Sequence, residues 1–289
     1  MSAISTADAK LGLLVMYTFD MYDKHKGTLT PPVDARLAAD WNVTGYLTGN
    51  DAILRQAGGK LVPGGEVCYG LVAASKADPK QHIVVIRGTD GIVEWIEDAT
   101  FAPTAHPVAG RVEQGFWGIY MSMKIQPVEG AEQSLLPGIQ ALTAGASSVT
   151  VVGHSLGSSL ATYLAFDLAD PKVLGARTSA LLFASPHPGN DAFCNAFDAR
   201  LKSAAGQSQY RLYNYFLDAV PRVPFGPDYA HLPGVTDLRP SDANARIRFD
   251  LGCNHHVGDY CAMLDYELTM PIINADVGNC CENCIKGRQ

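Results

Sequence analysis

The sequence predicts an α/β fold, a central and mostly parallel sheet with helices on its faces. Short β-rich apolar runs alternate along the chain with segments of helical period, the signature of such a sheet. One of these runs passes through a Gly-x-Ser-x-Gly pentapeptide, Gly153 to Gly157, directly into a helical pattern. The chain has 289 residues, 47% apolar and 18% charged, with no compositional break that marks a linker. We therefore expect one domain over residues 1–289, large enough to bury a sizeable core.

Each element follows in order. Leu11, Leu14, Val15 and Thr18 fall on one face of an amphipathic first helix, with Ser5 or Thr6 as its cap. Val43 to Leu47 and Val67 to Ala73 alternate like strands in a more antiparallel portion. His82 to Arg87, Val149 to His154 and Ala180 to Ala184 are continuous apolar runs, as expected of strands buried on both faces, and Tyr210 to Phe216 reads as a fourth. Leu160, Leu164 and Leu168 form one stripe on a helix from Leu156 to Leu168, with Pro171 just past its end. Asn190 caps a further helix to Leu201, and Asp259 to Leu268 is helical in period. Pro31-Pro32, Pro221 to Pro227 and Gly145 to Ser148 read as loops.

A formal net charge of −7 argues against general attraction to nucleic acid or anionic membranes. No stretch approaches the roughly 20 apolar residues of a transmembrane helix. The apolar run Leu11 to Met16 is flanked by Asp8, Asp20 and Asp23, and no basic leader or cleavage site precedes it, so no signal peptide is expected. That favours the cytoplasm, or export by a leaderless route. Seven cysteines, at positions 68, 194, 253, 261, 280, 281 and 284, form no evident disulfide framework. Cys281-x-x-Cys284, in a Cys-rich tail over 278–289, hints at a metal, but a tetrahedral zinc site needs four ligands and no second pair lies nearby.

The pentapeptide carries the chemistry. A nucleophile must project from a sharp strand-to-helix turn, and flanking glycines let the chain bend without a Cβ clash. Ser155 then sits at a helix N-terminus, where the dipole and unbonded N–H groups favour an oxyanion. A serine hydroxyl needs a base, and the base needs an orienting carboxylate. Asp218 lies just past the strand Tyr210 to Phe216, at the end where parallel sheets gather active-site groups. Asp228 and Asp237 follow no strand so directly. For the base, position alone leaves His231, His255 and His256 open; His82 and His106 are more simply structural.

Several blocks together resemble the class 3 lipases, members of the α/β-hydrolase superfamily, over about Tyr69 to Tyr260. Ile86-Arg87-Gly88-Thr89-Asp90 is similar to the family's oxyanion strand, Gly110 to Phe116 to its next block, and Val152 to Gly157 to its elbow. Phe183 to Asn190, Asp218 to Pro224 and Tyr229 to Gly234 match later blocks in the same order. The resemblance implies an α/β-hydrolase fold with Ser155 as nucleophile, Asp218 as acid, and Thr89 with the Leu156 N–H as oxyanion donors. It makes His231 structural. The family's histidine stands a few residues before a tyrosine, and the spacing to Tyr260 prefers His255 to His256. Glu113 departs from the pattern, replacing a histidine.

Ile92, Trp95, Ile96 and Ala99 form the apolar face of a short helix whose other side is acidic. The resemblance implies a lid within residues 91–112, with Trp95 and Ile96 over the cleft and able to touch a lipid surface transiently; a helix packed permanently on the core fits the same pattern. The implied activity is hydrolysis of acylglycerols through an acyl-enzyme, with lipid or a small ester as substrate and no metal or organic cofactor. A phospholipase A1, a short-chain or feruloyl-type esterase, and a non-catalytic lipid-binding protein are the alternatives.

Overall fold

The computed structural model describes residues 3–51, 56–57, 60–61, 64–89, 101–243, 246–276 and 283–286. Nine strands form the main sheet: β1 (Trp41–Asn50), β2 (Glu66–Ser75), β3 (Gln81–Ile86), β4 (Lys124–Pro127), β5 (Gln133–Ser134), β6 (Ser148–His154), β7 (Thr178–Phe183), β8 (Tyr210–Tyr215) and β9 (Val235–Leu238). Their order is β9-β8-β7-β6-β3-β2-β1-β4-β5. β3, β6, β7, β8 and β9 are parallel, and β2, β1, β4 and β5 continue the sheet antiparallel. The sequence placed the six longest strands within one or two residues at most ends, and β1 and β2 run longer than expected. The α/β-hydrolase expectation matches this mixed, largely parallel sheet.

The continuous apolar runs are explained by two cores. In β3, Val84 and Ile86 face one core and Ile83 and Val85 the other; in β7, Ala180 and Leu182 oppose Leu181 and Phe183. Each buried aliphatic side chain contributes about 1.5–3 kcal/mol. The first core is closed by helices α3 (Gln114–Ser122), α5 (Leu156–Leu168) and α6 (Asp191–Arg200), through Phe116, Tyr163, Phe166, Phe193 and Phe197. α5 has the bounds expected, and Asn190 caps α6 by accepting from the Phe193 N–H. Two short helices, α2 (Ala35–Asp40) and α4 (Leu135–Leu142), flank the antiparallel strands.

The second core is closed by α1 (Ala3–Lys24) and by α8 (Val257–Leu264). Here four expectations are corrected. α1 begins at Ala3, so Ser5 and Thr6 do not cap it; the Thr6 hydroxyl instead donates to Asp265 Oδ2 at 2.6 Å. Every residue of α1 from Gly12 to Thr18 is buried, so the helix is enclosed rather than amphipathic there. Buried Asp8 anchors it to β8, accepting from Arg211 Nε at 2.7 Å, Arg211 Nη2 at 2.6 Å and the Tyr213 hydroxyl at 2.7 Å. The helix expected over Asp259 to Leu268 is two, α8 and α9 (Tyr266–Ala275), with Asp265 extended between them and accepting from the Leu268 N–H. The aspartate side chain competes with helix continuation and caps the second helix instead. Finally, α7 (Leu251–His255) is joined to the tail by a disulfide, Cys253–Cys284, which the cysteine spacing did not reveal. Cys280 and Cys281 lie outside the described residues.

Candidate active site

β6 delivers Ser155 to the turn before α5. Its backbone sits at φ 60° and ψ −134°, a left-handed state that turns the chain sharply between strand and helix. The Ser155 N–H donates to the Phe183 carbonyl at 3.0 Å, and its side chain makes no helix-cap bond, which leaves the hydroxyl to the cleft. The two glycines have steric reasons. A Cβ on Gly153 would lie 2.3 Å from the Gly157 carbonyl oxygen, and one on Gly157 would lie 2.4 Å from the Arg87 carbonyl oxygen. Elbow, helix and the segment at the end of β3 thus meet backbone to backbone.

Residues 87–89 continue β3 past its last paired residue. A Cβ on Gly88 would stand 2.9 Å from Ser155 Cβ, so the chain leading into Thr89 runs directly beside Ser155. Leu156 opens α5 and presents its N–H in the first helical turn. These are the two positions expected to hold an oxyanion.

Asp218 follows β8 and is buried. Its Oδ1 accepts from the Val220 N–H at 2.9 Å, and its Oδ2 accepts from His255 Nδ1 and from the Tyr260 hydroxyl, both at 2.7 Å. His255 ends α7, buried, while His256 caps α8. Of the three candidate histidines, the structure brings His255 onto Asp218. Asp228 pairs with Arg111 at 2.9 Å on the surface, and Asp237 is exposed on β9. With Nδ1 donating to the carboxylate, neutral His255 presents an Nε2 lone pair. Neither that nitrogen nor Ser155 Oγ has a hydrogen-bond partner among the described residues, and both are buried.

Three supporting groups went unread in the sequence. Tyr260, used only as a spacing mark, donates to Asp218 and accepts from the Tyr215 N–H at 3.0 Å, tying α8 to β8 at the acid. His154 donates through Nε2 to the His255 carbonyl at 2.7 Å, with the two rings 4.6 Å apart. Complete burial holds His154 well below the usual histidine pKa, so it stays a neutral donor. His187 donates its N–H to the Val223 carbonyl at 2.8 Å and its Nδ1–H to the Pro224 carbonyl at 2.7 Å; its Nε2 faces the His231 ring nitrogens at 3.0 and 3.1 Å. Burial pushes His187 down to about 4. This pair pins the segment that follows Asp218, which gives His231 a structural place.

Glu113 is a helix cap. It is buried, accepts from the Phe116 N–H at 2.7 Å, and burial raises its carboxyl pKa. Trp95 and Ile96 lie outside the described residues; the later part of the 91–112 segment includes a two-stranded hairpin, Pro103–Ala105 with Arg111–Glu113. A cavity of about 720 Å³ between α3 and α4 is lined by Trp117, Tyr120 and Asp167 but by none of Ser155, Asp218 or His255, so we do not read it as the cleft. Among the described residues no three His, Cys, Asp or Glu side chains gather to hold a metal, and no helix is long and apolar enough to cross a membrane.

The chain is 31% identical over 173 residues to phospholipase A1-II 6 of Oryza sativa subsp. japonica, a match covering 51% of this chain and 41% of the rice protein. It is 26% identical over 170 residues to the chloroplastic phospholipase A(1) DAD1 of Arabidopsis thaliana, covering 55% and 37%. The chain thus spans about two fifths of the length of these relatives. Among solved structures it is similar to M37 lipase, with a TM-score of 0.63 at 16% identity over 95% of this chain and 98% of that one. The lipase of Rhizopus microsporus var. chinensis gives 0.57 at 20% identity, covering 82% and 75%; at such identities both comparisons speak to the fold. The family described as Lipase (class 3) matches residues 83–227, half of the chain, with Ser155 and Asp218 inside the match and His255 beyond it. The chain belongs to the class 3 lipase family.

Proposed function

We propose that the protein is a serine carboxylic-ester hydrolase whose nucleophile, base and acid are Ser155, His255 and Asp218. The carrying observation is the 2.7 Å contact of His255 Nδ1 with Asp218, made beside the elbow, where His154, the residue before Ser155, holds the His255 carbonyl at 2.7 Å. In this reading His255 Nε2 removes the hydroxyl proton as Ser155 attacks the ester carbonyl. The N–H groups of Thr89 and Leu156 receive the developing oxyanion. His255 then protonates the leaving alcohol, an acyl-enzyme remains, and water activated by the same nitrogen releases the acid. Asp218 keeps the imidazole in the required tautomer. No step requires a cofactor.

Acylglycerols are the first substrate class, with Trp95 and Ile96 assigned to a lid within 91–112. A phospholipid sn-1 ester is the second, favoured by the plant relatives, which are named phospholipases A1. Hydrolysis of p-nitrophenyl esters from acetate to palmitate, then of triacylglycerol against phosphatidylcholine, tests both. We expect turnover that Ser155→Ala abolishes. Turnover that survives Ser155→Ala sinks the mechanism, and the acyl and head-group preferences choose between lipase, phospholipase and esterase.

A further inference from the structure

Arg87 is only 3% exposed, beneath the strand that runs past Ser155. Its Nε donates to the Cys68 carbonyl at 2.8 Å and its Nη1 to the Gly88 carbonyl at 2.7 Å. The guanidinium carbon lies 3.4 Å from the centre of the Tyr22 ring on α1. Its own N–H donates to the Tyr69 carbonyl at 2.9 Å. Burying a charge is costly, and an apolar side chain of the same volume would fill this place more cheaply. The position of the guanidinium suggests what the cost achieves.

A trans peptide holds its C=O and N–H in opposite directions. The Gly88 carbonyl and the Thr89 N–H belong to one peptide unit. With the carbonyl drawn down onto the guanidinium, the N–H is turned to the opposite side of the strand. Gly88 has no side chain to fix that plane, and a Cβ there would stand 2.9 Å from Ser155 Cβ. A charged donor on the carbonyl also polarises the amide and strengthens its N–H as a donor. We propose that Arg87 is a positioning residue for the oxyanion hole, fixing and polarising the peptide between Gly88 and Thr89; this rests on the esterase reading above. Lysine cannot reproduce it, because a single ammonium lacks the planar fork that reaches both carbonyls.

The test uses the full chain with p-nitrophenyl butyrate as substrate and an alkyl trifluoromethyl ketone as a mimic of the tetrahedral intermediate, for the parent, Arg87→Met and Arg87→Lys. Deleting an oxyanion donor outright costs about 10²–10³ in kcat, so misorienting one should cost about 10–100-fold. We expect that loss in kcat with KM within about twofold, the ketone weakened by the same factor as kcat/KM, and the pH profile unmoved, because His255 and Asp218 are untouched. If Arg87→Met does not fold, as judged by its melting transition, Arg87→Lys alone decides. Unchanged kcat and ketone affinity in a folded variant overturn the proposal, as does a rise in KM alone or a loss of kcat without loss of ketone affinity. A parent without ester turnover overturns the esterase reading as well, and is seen before any variant is compared.

Discussion

Ser155 occupies a backbone state that costs a non-glycine residue on the order of 1–3 kcal/mol, and surrounding contacts hold it there. His154 and Tyr260 do the same for His255 and Asp218, one through the His255 carbonyl and the other through the Asp218 carboxylate. His187 adds a pH dependence. Its folded pKa of about 4 lies below the ordinary value of 6.5, so between those values the unfolded chain binds a proton that the native state refuses. Stability from this site therefore rises with pH across that window and is lost as pH falls from about 6.5 to 4. His187→Asn retains a donor for the Pro224 carbonyl but cannot titrate. We expect urea unfolding at pH 4.5, 5.5 and 6.5 to give a shallower pH slope in the variant; equal slopes would refute the assignment. At this scale the Ser155 elbow and the buried place of Asp218 were legible because each has a local signature, a glycine-flanked serine and an aspartate just past a strand. That His255 rather than His256 meets Asp218 was legible only through family spacing. His154, His187 and Arg87 were not read, since their partners are carbonyls elsewhere in the chain and no pattern in the sequence marks a carbonyl.

Elements meet at the elbow with no room for a side chain. Gly157→Ala would place a methyl carbon 2.4 Å from the Arg87 carbonyl oxygen, which is backbone and has little freedom to move aside. We predict that this variant loses at least about 100-fold in kcat by displacing the strand that carries Thr89. Near-parental kcat would show that the strand moves without consequence. At α3 the expectation differs: Glu113→Ala removes a buried cap and should lower stability by about 1–2 kcal/mol in denaturant titration while leaving the ester KM unchanged. A loss of activity without loss of stability would instead put Glu113 in the cleft wall. The strands β3, β6, β7 and β8 were predictable as apolar runs because they are buried on both faces, and α5 from its leucine stripe. The break at Asp265 was not, because Leu264 and Leu268 keep helical spacing across it while one carboxylate decides the backbone. The enclosure of α1 was missed for a related reason: its apolar residues satisfy an amphipathic pattern, and what covers the other side is supplied by α8.

Across the whole molecule, the C-terminal third supplies both His255, the proposed base, and the cover of the second core. The Cys253–Cys284 bond links α7, two residues before His255, to a segment that pairs with Arg246–Ile247. Closing a loop of 31 positions removes about 3–4 kcal/mol of chain entropy from the unfolded state. The variant Cys253→Ala with Cys284→Ala should melt lower and lose kcat as the base loosens; unchanged melting would mean that the bond constrains nothing. The fold class was legible at this scale, since strand and helix alternation is a property of the whole chain. The crosslink was not, because its two cysteines are far apart in sequence. α1 has a last consequence, in the time of synthesis. Its anchor Asp8 bonds Arg211, 203 positions later, and a Cβ at Gly12 would touch Cys261. At about 5–20 residues per second, a ribosome needs roughly 10–40 s to produce Arg211 after Asp8. For that interval a helix whose stretch from Gly12 to Thr18 is wholly buried in the fold has been made without the surfaces that will enclose it, so an early segment is among the last to be buried.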